Sequence, residues 1–113
     1  MKVVTLEIAS ATDVKRRALE ALNGRKQRAC ISFATPELLW KVLTAKRWDL
    51  LKALAGQSPL AIREIARRLG RDVKAVHADV HALLDAGLLD RADDGRIVFR
   101  FDAVHVDFTL HAA

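Results

Sequence analysis

Apolar residues between Leu60 and Leu89 recur in two successive stripes separated by a break. Ile62, Ile65, Ala66 and Leu69 are spaced three or four apart, as on one face of a helix. Gly70 follows at the position where a left-handed residue ends a helix at little cost. Asp72 can cap a second helix, whose stripe is Val73, Val76, Val80, Leu83 and Leu84, and Gly87 stops it. The spacing therefore predicts helix, tight turn, helix.

Elsewhere the period changes. Lys2 to Ile8 alternates imperfectly and is rich in β-branched residues, which predicts a strand. Ser10 with Asp13 resembles a capping box for a helix from about Ala11 to Leu22, with Val14, Ala18, Leu19 and Leu22 as its apolar face. A short strand is expected at Ala29–Phe33, after a basic linker at Arg25–Arg28. Thr35-Pro36-Glu37 is a helix start, and the helix that follows is heavily apolar. Thr44 caps a further helix, Ala45 to Ala55, ended by Gly56. Trp40 and Trp48 are expected as core anchors of these two helices.

Downstream of Gly87, Asp94-Gly95 separates Leu88–Arg91 from Arg96–Phe101, a hairpin signal. Val104, Val106, Phe108 and Leu110 alternate with His105, Asp107 and Thr109, so a half-buried strand closes the pattern. A solitary strand leaves backbone groups unpaired. The N-terminal and C-terminal strands are therefore expected to pair, within a subunit or across a dimer. The fold class is α+β, mostly α: a winged helix-turn-helix with extra terminal strands. The expected division is a strand-helix-strand extension at 1–34, a winged helix-turn-helix domain at 35–103 and a C-terminal strand at 104–113.

Composition narrows the function. The chain has 113 residues, enough for one domain with a core, and a single cysteine, Cys30, which cannot form an internal disulfide. No apolar run approaches a bilayer span, and Glu7 breaks the N-terminal apolar run before a signal peptide could form. A cytoplasmic protein with no membrane association is expected. The net charge of +5 favours a polyanionic partner. Its distribution is uneven: residues 15–47 carry nine lysines and arginines against two glutamates, and the remainder is slightly acidic. The surplus thus lies upstream of the two-helix unit. Lys15-Arg16-Arg17 reads either as a solvated helix face or as a contact for phosphate or an acidic protein.

A two-helix unit with a Gly-containing turn can place its second helix, about Asp72–Ala86, in the DNA major groove. The hairpin, about Leu88–Phe101, would be the wing. Candidate DNA contacts are Arg71 and Lys74 at the helix start, His77, Ala78 and His81 along its polar side, Arg63 and Arg67 on the first helix, and Arg91 and Arg96 on the hairpin. Arg68 stands with Arg63 and Arg67, and all three read either as phosphate contacts or as solvated charges; Arg100 joins Arg91 and Arg96 on the hairpin, whereas Asp93 and Asp94 argue against its tip entering DNA. Asp79 is expected to pair with an arginine. His77 and His81 have a metal-compatible spacing but no third ligand in a recognisable motif. No catalytic motif, metal site or cofactor site is expected, and Cys30 is expected to be packed.

The runs Leu43–Leu51, Ile62–Asp72, Val76–Leu83 and Gly87–Leu89, above all LGRDVKAVHADV, resemble small prokaryotic MarR-like winged-helix transcriptional regulators, many similar to antitoxins encoded beside a RelE-type toxin. The resemblance implies sequence-specific binding of double-stranded DNA by a homodimer, with recognition helices ~34 Å apart on a palindromic site. Ala78 stands where such relatives carry a charged residue. The alternative implied by the resemblance is an antitoxin that neutralises a RelE-like toxin by protein contact and autoregulates its operon. Glu7, Asp102 and Asp107 would suit a basic toxin.

Overall fold

The computed structural model describes residues 1–24 and 29–110; the basic linker expected at Arg25–Arg28 lies outside them. The chain runs β1 (Val3–Ile8), α1 (Ala11–Leu22), β2 (Cys30–Phe33), α2 (Pro36–Val42), α3 (Ala45–Leu54), α4 (Ile62–Leu69), α5 (Val73–Ala86), β3 (Asp90–Arg91), β4 (Ile97–Val98) and β5 (Ala103–Asp107). This is an α+β protein in which the five helices hold close to half of the chain.

Local chemistry sets most helix ends. Ser10 and Asp13 form the reciprocal capping box of α1. Thr35, Thr44 and Asp72 each accept a hydrogen bond from a backbone N–H in the first turn of α2, α3 and α5. Gly70 and Gly87 end α4 and α5 with φ of 63° and 85°, a backbone region that L side chains rarely occupy.

The terminal strands do pair, within one chain and in parallel. Strand order is β2-β1-β5, with Val4 opposite Val104 and Leu6 opposite both Ile31 and Val106. Both connections are crossovers, as parallel pairing requires. One face of the sheet carries Val4 and Leu6, fully buried in the same core as Leu39, Leu50, Leu54, Ile65, Val76, Val80 and Leu83. The opposite face carries Thr5 and Glu7, and there α1 lies, its Arg17 paired with Glu7. The second sheet is the β3–β4 hairpin. Its Ile97 also exchanges two backbone hydrogen bonds with Leu60, at 2.9 and 2.8 Å, which anchors the hairpin two residues ahead of α4.

Three expectations are corrected. The apolar face of α1 is not buried: Val14, Leu19 and Leu22 are exposed. The sheet face under this helix presents Glu7, so α1 turns Arg17 inward and its apolar stripe outward. Trp40 and Trp48 are not core anchors, with 53% and 40% of their surfaces exposed. They sit at the rim of the sheet, where Trp40 meets Phe108 edge-to-face with ring centroids 5.7 Å apart. The core is built instead from branched aliphatic side chains. The strands at Arg96–Phe101 and Val104–Leu110 are also shorter than the alternation suggests.

Leu6 occupies the centre of the three-stranded sheet with no exposed surface. Leu6→Ala should cost about 3 kcal/mol, read as a lower denaturation midpoint at an unchanged slope.

Candidate nucleic-acid interface

The turn between α4 and α5 is fixed by a part-buried ionic cluster. Asp79, one and a half turns into α5, accepts from Arg71 Nη2 at 2.7 Å and from Arg47 Nε at 3.0 Å. Arg47 Nη1 donates to the carbonyl oxygens of Lys41 and Val42, each at 3.0 Å. One carboxylate thus joins the end of α2, the start of α3, the α4–α5 turn and the body of α5. Burial is the largest effect on Asp79 and opposes its ionisation. The hydrogen bonds and charges of Arg71 and Arg47 together outweigh it and hold its pKa below the usual carboxylate value.

That cluster changes the standing of Arg71. Its side chain is one-fifth exposed and committed to Asp79, so it positions the turn before it can reach a ligand. Lys74, Ala75, His77 and Ala78 form the exposed side of the first half of α5. His81 continues this side, with its Nε2 3.1 Å from Nε2 of His77. On α4, Arg67 and Arg68 grip Glu64 with hydrogen bonds of 2.9 and 3.1 Å, and Arg63 is exposed. Hydrogen bonds from Arg67 first, and then Arg68, hold Glu64 at a pKa of about 2. On the hairpin, Arg91 reaches the Gly95 carbonyl, and Arg96 and Arg100 lie 3.5 and 3.3 Å from Asp94 and Asp90. Asp90, Arg91, Asp94, Arg96 and Arg100 all stand exposed.

The surface therefore has two parts. Lys74, His77, Ala78 and His81 share one helix side. The arginines of α4 and of the hairpin belong to the elements on either side of α5 in the chain, and Arg67, Arg68, Arg96 and Arg100 are each partly neutralised by a nearby acid. Sequence reasoning did not single out Arg47, which builds the site without facing a ligand. Its signal was available: a basic residue three positions after the Thr44 cap, beside the last carbonyls of the preceding helix.

The match to known families covers this region. Residues 42–106, more than half of the chain, match the model of the family described as HVO_A0114. The chain belongs to the HVO_A0114 family. No curated protein and no solved structure matches it. The matched segment begins at the last residue of α2 and runs through α5, the hairpin and most of β5, so it contains the whole ionic cluster except the Lys41 carbonyl.

Asp79→Asn should leave two half-buried arginines without a counter-charge and cost about 3 kcal/mol at neutral pH. Because the folded-state pKa of Asp79 is depressed, its contribution is present above the unfolded value and lost as pH falls through the folded one. Chemical denaturation from pH 7 downward should show the gap between wild type and variant closing below about pH 4. A gap of constant size would show that the carboxylate charge does not hold the turn.

Proposed function

We propose that this chain is a winged helix-turn-helix protein of MarR-like type that binds double-stranded DNA and regulates transcription. In this reading α5 enters the major groove and the β3–β4 hairpin is the wing. The observation that carries it is the exposed, acid-free side of α5 from Lys74 to His81, held on a turn locked by Arg71–Asp79–Arg47 and flanked by a hairpin tied to the start of α4. A major-groove helix needs such a side to reach base edges, and a rigid mount to fix its register.

Charge placement supports the same reading. Arg47 binds both the Lys41 carbonyl and Asp79, so the backbone at Lys41 and Lys46 flanks α5. Part of the basic surplus upstream of the two-helix unit thereby stands beside the proposed groove-facing helix, where it can meet phosphates. Lys15 and Arg16 lie on α1, beyond the sheet, and are left out of the proposed contact surface.

The toxin-neutralising alternative has less support. Of the three acids that would suit a basic partner, Glu7 is only 8% exposed and paired with Arg17, and Asp102 accepts a hydrogen bond from the Lys2 N–H at 2.7 Å. Asp107 alone of the three remains unengaged in this way.

Selection from a random duplex library, followed by fluorescence anisotropy across a salt series, tests the proposal. Log affinity should fall with log salt by about 0.9 for each phosphate contacted. Lys74→Ala should weaken binding and reduce that slope by about 1 while leaving thermal stability unchanged. Arg71→Ala should lower both stability and affinity. Failure to enrich any duplex, or a salt-independent affinity, would sink the DNA-binding reading.

A further inference from the structure

β5 is an edge strand, and its free edge is chemically self-complementary. Thr5 donates its N–H to the Ala29 carbonyl, so Thr5 and Glu7 direct their backbone groups to β2, and Val4 and Leu6 direct theirs to β5. Parallel register then turns the backbone groups of His105 and Asp107 toward β1. Those of Val104 and Val106 face away from the sheet.

The side chains alternate in step. Val104 and Val106 pack toward the helices, beside the half-exposed rings of Trp48 and Trp40, and Phe108 continues that side. His105 and Asp107 are exposed on the opposite side. The other outer strand of this sheet, β2, carries Cys30, Ile31, Ser32 and Phe33, with no charge to set a register.

We propose that a second copy of this chain adds to this edge, β5 against β5 in antiparallel orientation, on a two-fold axis through Val106. Symmetric registers centred on Val104, His105, Val106 or Asp107 use the outward backbone groups. Centring on Val104 sets His105 opposite Ala103 and leaves Asp107 opposite no residue of β5, so it gains no charge pair. Centring on His105 places the two histidines opposite each other, and centring on Asp107 opposes two carboxylates, a destabilising pair. Centring on Val106 places His105 of each copy opposite Asp107 of the other, twice by symmetry. An imidazole N–H can donate to a carboxylate in either charge state of the ring. The same register sets Phe108 of one copy opposite Val104 of the other. That ring then covers the apolar depression lined by Trp48, Leu51, Phe99 and Val104. Backbone pairing, charge pattern and aromatic fit therefore select one arrangement, which merges two three-stranded sheets into a six-stranded one. The arrangement does not rest on DNA binding.

The test is sedimentation equilibrium of the full chain without DNA, with circular dichroism confirming the fold of each variant. Wild type should show twice the 12.5 kDa chain mass. Val106→Pro removes an outward N–H that only the second copy uses, and should give a folded monomer. His105→Asp should weaken the dimer about tenfold or more, through two like-charge contacts. The double variant His105→Asp with Asp107→His restores opposite charges and should recover the dimer. A monomeric wild type at hundred-micromolar concentration overturns the proposal. A dimer indifferent to Val106→Pro, or a charge swap that recovers nothing, overturns it as well.

Discussion

A part-buried carboxylate with two guanidinium partners organises this molecule. Burying Asp79, Arg47 and Arg71 costs solvation, and the cost is met only because each charge finds a partner in good geometry. Their attraction does not require these helices to be where they are; apolar packing could hold them together in several rotations. What the cluster adds is selection among those rotations. The apolar stripe Val76, Val80 and Leu83 already decides which side of α5 faces inward. A small rotation about the helix axis would keep that stripe in contact while carrying Asp79 away from both arginines, so the ionic cluster sharpens the orientation that packing sets.

The rest of the architecture extends that frame on two sides. Toward α4, the Leu60–Ile97 bridge makes the hairpin a continuation of the two-helix unit rather than a loose arm. Toward the opposite end, α5 stops at Gly87 close to Ile31 of β2, and Leu88 and Leu89 turn straight into the core. The terminal sheet thus stands against the helical layer through Val4, Leu6, Val104 and Val106.

Much of this was legible in the sequence because it is decided over four or five residues. Ser10 with Asp13, Thr35, Thr44 and Asp72 announce helix starts, and Gly70 and Gly87 announce stops, by chemistry that needs no distant partner. That Asp79 would find an arginine was also readable. Which arginines it finds was not, since Arg47 lies 32 positions away and reaches it only after α3 has docked. The orientation of α1 failed for a related reason. Its apolar stripe is a local fact, but the deciding partner is Glu7 on the strand beneath it. The tryptophans were misplaced because size and hydrophobicity say that a ring is covered, and do not say whether at the centre or at the rim.

The three-stranded sheet has a consequence for the order of events during synthesis. Its central strand, β1, leaves the ribosome ahead of both its neighbours, and one of them, β5, follows 100 positions later, as the Lys2–Asp102 hydrogen bond marks. At roughly 5–20 residues per second, β1 waits several seconds with one edge unsatisfied. During that time the α4–α5 unit and its hairpin, whose contacts are short in sequence, can already assemble. The helical face can therefore be complete before the sheet is closed, and a pause in translation that leaves β5 alone inside the ribosome would hold the chain in that half-finished state.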